Sequence, residues 1–153
     1  MPQIIAKAQE KGVKLHLPHD FVCADKFAED AKVVIRTEKE GIDDGWLGLD
    51  IGPSTIKANS EVIARSKTVF WNGPQGVFEM QPFAQGSLSM LDDIIAATSR
   101  GATSVAGGGD TVALLKKVKG SADKLSHVST GGGASLELVE GKQLPGVVAL
   151  SDM

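Results

Sequence analysis

Two glycine runs carry the chemistry this sequence can offer. Gly107-Gly108-Gly109-Asp110-Thr111 follows the apolar run Ser104-Val105-Ala106, and Gly131-Gly132-Gly133-Ala134-Ser135 follows His127-Val128-Ser129-Thr130. Each lies between a strand-like run and a helix-like run. A glycine turn lets an anion approach the backbone with no Cβ in the way. The helix that follows directs its unpaired N–H groups and partial positive charge to the same place. Taken singly, each run is also an ordinary strand-to-helix turn; taken together, two such turns at one sheet edge would hold two ends of a phosphorylated substrate pair.

Other residues can serve such a site, and each has a plainer reading. Asp110 sits where a helix N-cap belongs; beside bound phosphates the same carboxylate would hold Mg²⁺. Thr111 has a hydroxyl to donate to a phosphate oxygen. Asn72, in the turn Asn72-Gly73-Pro74-Gln75-Gly76, is either a turn residue or a phosphate donor. Glu79 is either a solvated acid or an acceptor for a ribose. Phe27 and Leu49 are core candidates that can equally line a base.

The elements that must position these residues alternate. Pro2 to Lys11 reads as a helix stopped by Gly12, and Val13 to Leu17 alternates apolar and polar residues like a strand ended by Pro18. His19 to Phe27 is irregular, Asp25 to Lys32 predicts a short helical turn, and Glu38 to Gly45 a polar loop. Trp46 to Ile51 reads as a buried strand, followed by a helix that Pro53 opens and that runs to about Ser66. Thr68 to Trp71 is the next strand. Pro82 opens a long helix with the stripe Ala84, Leu88, Leu91 and Ile95, Asp92 and Asp93 lying off it, and Gly101 as its stop. Then come a strand at Thr103–Ala106, a helix at Asp110–Val118, a strand at His127–Thr130, a helix to Glu140 and an apolar tail, Leu144 to Leu150. This alternation predicts an α/β fold: a parallel sheet with helices on both faces, Rossmann-like. Ligands of such sheets bind beyond the carboxyl ends of the strands, where the pattern places Gly48, Asn72, Gly107 and Gly131.

Composition narrows the classes. The chain has 153 residues, 42% hydrophobic and 23% charged, with net charge −3 and no dense Lys/Arg cluster. The basic footprint of a nucleic-acid binder is missing. No apolar run nears the ~20 residues that span a bilayer, and no signal-peptide pattern follows Met1. A lone cysteine, Cys23, cannot close an internal disulfide and reads as a small buried side chain. His16, His19 and His127 lack metal-ligand spacing. Neither glycine run completes a Walker-type phosphate loop or a G-x-G-x-x-G fingerprint with its distal acid, which speaks against a dinucleotide dehydrogenase.

Four segments resemble phosphoglycerate kinase in order and spacing: Leu47–Pro53, Trp71–Glu79, Gly107–Thr111 and His127–Glu137. Leu144-Pro145-Gly146-Val147 fits as well, and the resemblance covers essentially the whole chain. It implies phosphoryl transfer between 1,3-bisphosphoglycerate and ADP-Mg²⁺, giving 3-phosphoglycerate and ATP in glycolysis, in the cytoplasm or an organelle, with no nucleic acid or membrane as partner. By the same resemblance Phe27, Gly48 and Leu49 line the adenine pocket, and Asn72, Pro74, Gly76, Val77 and Glu79 meet ribose and phosphates. Asp110 holds the metal, Thr111 a phosphate, and the backbones of Gly108, Gly109, Gly131 and Gly132 the moving phosphoryl group. Residues 1–153 correspond to the C-terminal part of the nucleotide-binding domain. The basic 3-phosphoglycerate domain and the domain's opening strands, with two lysines and a glycine pair, fall outside that span. Three expectations stay side by side: part of a kinase inactive by itself, a non-catalytic nucleotide-binding module, and a structural α/β fragment. An uncovered sheet edge would favour dimers of the chain.

Overall fold

A computed structural model describes residues 2–150. In chain order it contains α1 (Pro2–Glu10), β1 (Asp20–Ala24), β2 (Val33–Thr37), β3 (Leu47–Ile51), α2 (Pro53–Arg65), β4 (Thr68–Asn72), α3 (Gln85–Ser99), β5 (Thr103–Gly107), α4 (Gly109–Lys117), β6 (His127–Ser129), α5 (Gly132–Val139) and α6 (Pro145–Val148). Short 3₁₀ turns occupy Gln81–Phe83 and Ala122–Lys124.

The strands form two sheets. β4, β5 and β6 lie side by side in that order, all parallel, with Asn72 opposite Gly107 and Gly107 opposite Ser129. This is the parallel sheet the alternating pattern predicts. α3 and α4 are the crossovers and both pack against β5, while α3 also packs along α2. A core of Trp71, Leu91, Ile94, Ala106, Leu114 and Leu115 joins them. Leu91 is in the anticipated stripe; Ile94 and Ala97 are buried more deeply than Ile95. Full burial of a Leu or Ile side chain stabilises by about 1.5–3 kcal/mol. Asp92 is exposed, whereas Asp93 accepts a hydrogen bond from Ser60 Oγ at 2.5 Å and so ties α3 to α2.

The first three strands depart from the expectation. They form an antiparallel sheet in the order β2-β1-β3. Asp20–Ala24 and Val33–Thr37, read as irregular or passed over, are strands. Asp25–Lys32 is not a helical turn but the hairpin link between them, closed by Asp25 N–H on the Lys32 carbonyl at 3.2 Å and Lys32 N–H on the Asp25 carboxylate at 2.9 Å. So short a link cannot make the crossover that parallel neighbours need. Val13–Leu17, expected as a strand, is irregular, with Val13, Leu15 and Leu17 exposed. Alternation records a two-sided pattern, but a strand exists only when another strand pairs with it, and none does there among the described residues.

Helix boundaries follow local chemistry. Gly12, at φ +66, ends α1; its N–H reaches the Gln9 carbonyl and Val13 N–H reaches that of Ala8. That is the glycine C-terminal motif anticipated there. Pro53 is the first residue of α2. Pro82 lies in the 3₁₀ turn before α3, which begins at Gln85. Ala84 both closes that turn and serves as the N-cap of α3, so the helix opens three residues later than expected.

Candidate functional site

The two glycine turns meet. Gly108 caps α4 with φ +92, a conformation that excludes ordinary side chains, and a Cβ built on it would come within 2.7 Å of Asn72 Oδ1. A Cβ on Gly132 would lie 2.8 Å from Gly108 Cα and 3.0 Å from Gly108 N. Glycine at 132 is therefore what lets the β6–α5 turn press on the β5–α4 turn. Gly131, the N-cap of α5, has φ −96. At Gly109 and Gly133 a Cβ would meet no protein atom within 4 Å; packing does not demand glycine there. Neither α4 nor α5 has a side-chain cap, so their first N–H groups are free to bond a ligand.

Asp110 is corrected from the N-cap position to the first turn of α4: Gly108 is the cap, and the Asp110 side chain is exposed and makes no capping bond. Thr111 is fully buried, and its Oγ1 accepts Gly73 N–H at 2.8 Å. It fastens the Asn72 turn to α4 and keeps its own hydrogen to donate. Ser129 and Ser135 share a 2.6 Å hydrogen bond across the second turn.

A separate cleft of ≈ 340 Å³ is lined among others by Gly48, Leu49, Pro74, Gly76 and Val77. Five of the anticipated nucleotide contacts are thus together. Val77 N–H donates to the Leu49 carbonyl at 2.9 Å, binding the loop after β4 to β3. Glu79 is exposed and lines a neighbouring hollow with Phe78 and Lys117, whose Nζ reaches the Phe78 and Glu79 carbonyls at 3.2 Å each. Phe27 is 59% exposed and lines neither hollow. Gly48 is not at a strand's carboxyl end: it is the second residue of β3, in the antiparallel sheet.

Sequence reasoning passed over the two buried aspartates that shape this region. Asp20 accepts Ser54 N–H at 2.9 Å, Thr55 N–H at 2.8 Å and the Thr55 hydroxyl at 2.6 Å, capping α2 from another strand. Burial alone would raise its pKa, but the bonds from Thr55 and Ser54 hold it below the usual carboxylate range. Asp50 accepts Gly86 N–H at 2.7 Å, at the start of α3, and Ile51 N–H at 2.8 Å. Burial pushes its pKa up despite those bonds. The available signal was Asp50 itself, an acid inside an otherwise apolar strand. Cys23 is fully buried, as expected of a small core side chain.

Among the described residues no group of three or more His, Cys, Asp or Glu could hold a metal ion, which leaves Asp110 at the start of α4 as a single exposed carboxylate. That donor set fits Mg²⁺ arriving on nucleotide phosphates with one protein carboxylate, the arrangement Mg²⁺ commonly takes. No helix among the described residues is long and apolar enough to cross a membrane.

Comparison with known proteins gives the family. The family model for phosphoglycerate kinase matches residues 1–142. The chain is 73% identical over 153 residues to the phosphoglycerate kinase of Sterkiella nova, covering 99% of this chain and 36% of that protein. To that of Euplotes crassus it is 61% identical over 150 residues, with 98% and 36% covered. The structure of phosphoglycerate kinase from Coxiella burnetii matches with TM-score 0.87 and 40% identity, over 96% of this chain and 37% of that one. The enzyme from Pyrococcus horikoshii OT3 matches with TM-score 0.73 and 27% identity, over 95% and 38%. The chain thus spans about 36% of the length of the curated relatives it matches. With that share of its relatives accounted for, the chain belongs to the phosphoglycerate kinase family.

Proposed function

We propose that these residues form the nucleotide side of a phosphoryl-transfer site, taking Mg²⁺-ADP or Mg²⁺-ATP opposite 1,3-bisphosphoglycerate or 3-phosphoglycerate in a cytoplasmic enzyme. The observation that carries this reading is the contact of Gly132 with Gly108. It brings the uncapped starts of α4 and α5 to one spot, where their N–H groups stabilise charge on a phosphoryl group in transit. Asp110 would supply one Mg²⁺ ligand, and Mg²⁺ when bound neutralises phosphate charge. Gly48, Leu49, Pro74, Gly76 and Val77 form the cleft for the base and sugar. Phe27, Glu79, Asn72 and Thr111 belong to the same reading on the strength of the family resemblance.

The 153 residues alone bind nucleotide weakly and turn nothing over. A chain of net charge −3 offers no basic cleft for a second polyanion. Holding both reacting ends together can supply about 7–11 kcal/mol of the barrier, and one wall of a site does not. Calorimetry with ADP should show affinity that depends on Mg²⁺, and Asp110→Asn should abolish most of that dependence, a loss of about ten- to a hundredfold for one charge-assisted contact. Equal affinity with and without Mg²⁺ in the unmodified chain would remove Asp110 from the site. A coupled ATP-formation assay on the chain should read zero.

A second copy of the chain is part of the proposal. Among the described residues β4 pairs only with β5, which leaves its other edge unpaired, and an apolar hollow of ≈ 510 Å³ lined by Phe70, Val105, Leu138 and Leu144 lies on the same sheet. Open edges and apolar patches associate; sedimentation at rising concentration should show dimers.

A further inference from the structure

The loop after β4 is fastened along its length. Gly73 is held from both sides, its N–H by Thr111 and its carbonyl by Trp71 Nε1–H at 2.8 Å. Further along, Ser87 Oγ accepts Gln75 N–H at 2.9 Å and Gly76 N–H at 3.4 Å. Ser87 is fully buried in the first turn of α3. Next to it, Asp50 takes Gly86 N–H. Its carboxylate lies directly under Gly76: a Cβ there would stand 2.3 Å from Asp50 Oδ1 and 2.6 Å from the Phe83 carbonyl.

We infer that Ser87 and Asp50 are positioning residues, which together set the Pro74–Val77 wall of the cleft. The inference rests on reading that cleft as the nucleotide's. Two features argue that this polar pair is there for placement. A buried carboxylate is costly unless paired, and among the described residues no cation forms an ion pair with Asp50. Its bonds go instead to the carboxyl end of β3, at Ile51, and to the first turn of α3, at Gly86. Second, Ser87 spends its oxygen on two consecutive loop amides, which fixes their direction as well as their distance. An apolar pair of the same volume would fill the space and leave the wall free to choose among conformations.

The test compares Ser87→Ala and Asp50→Asn with Asp20→Asn, a buried aspartate that binds α2 and touches no part of the wall. Amide hydrogen exchange in the unliganded chain is the first readout. In Ser87→Ala the Gln75 and Gly76 amides should exchange about tenfold faster or more, while Leu114 and Leu115 in α4 keep their rates; lost stability alone would speed all of them together. Calorimetry with Mg²⁺-ADP is the second: the dissociation constant should rise about five- to tenfold in Ser87→Ala, the scale of one lost hydrogen bond, and less in Asp50→Asn, which keeps an acceptor for Gly86. Asp20→Asn should change neither quantity. If Ser87→Ala does not fold, Asp50→Asn provides the same two readouts. Unchanged exchange at Gln75 and Gly76 overturns the inference whether or not nucleotide binds, and so does faster exchange with unchanged ADP affinity. If the unmodified chain binds no ADP while exchange rises as described, the wall's fastening stands and the nucleotide reading of the cleft falls.

Discussion

Two pairs of helix starts in this chain are treated in opposite ways. α2 and α3 begin at buried aspartates that reach across from β1 and β3: Asp20 takes the Ser54 and Thr55 amides, Asp50 the Gly86 amide. α4 and α5 begin at glycines that take nothing. The first pair satisfies its orphan N–H groups inside the protein and so contributes to the fold. The second makes no such bond within the protein, which leaves them open to the anion of the proposed site, and its two members touch through Gly132 and Gly108. Within one domain, therefore, the chemistry at a helix start separates structure from site more sharply than does the helix itself.

The strongest way to break this comparison is to remove a closed cap. Asp20→Ala leaves the buried Thr55 amide and hydroxyl without their carboxylate acceptor and should cost about 2–6 kcal/mol, at about 1–3 kcal/mol for each buried group left unpaired. Urea denaturation measures it; a loss under about 0.5 kcal/mol would mean that the α2 cap is not structural.

A Cβ at the contact of the open pair comes next. Gly132→Ala drives a methyl into Gly108 backbone, which cannot swing aside, and should cost about 1–3 kcal/mol together with nucleotide binding. Gly109→Ala meets nothing within 4 Å. It should leave stability unchanged or raise it by about 0.5–1 kcal/mol, the gain of alanine over glycine in a helix, yet still weaken ADP because the new methyl stands where phosphate approaches. If Gly109→Ala binds ADP as well as the parent chain, the phosphate does not lie on α4.

The two aspartates should also respond to pH with opposite signs, the smallest effect and the sharpest test. Asp20 is held below its ordinary range, so its contribution is full above about pH 4 and is lost as pH falls through its lowered folded value. Asp50 is pushed above that range. The folded protein binds its proton more tightly than the unfolded chain does, so stability falls as pH rises from about 4 through the raised folded value and is flat beyond it. Urea titrations from acid to neutral pH should show the acid limb flattened in Asp20→Asn and the later decline removed in Asp50→Asn. Two variants with the same profile would refute the distinction.

The parallel sheet was legible because β4, β5 and β6 are each followed by a helix of clear period, and periodicity is a local property. The antiparallel sheet was not: Val33-Val34-Ile35 is β-branched, as strands prefer, but short polar neighbours hid it, while the cleaner alternation at Val13–Leu17 has no partner to pair with. The glycine triplets were legible as turns, and their convergence followed from the order of strands. Asp50, Ser87 and Thr111 were not legible as supports, because their partners lie 36, 12 or 38 positions away; only Asp50, an acid in an apolar strand, carries a local mark.

The sequence by itself determined which residue types reach the ends of the parallel strands, where α1 stops and α2 starts, and the family to which the four long motifs point. Glycine, proline and helical periodicity act over a few residues, so they can be read without a fold. Tertiary structure alone decided that Gly132 presses on Gly108, that Ser87 and Asp50 support the cleft wall, and that Phe27 stands outside it. Those facts depend on which elements become neighbours, and neighbours are chosen by burial and pairing across the whole chain.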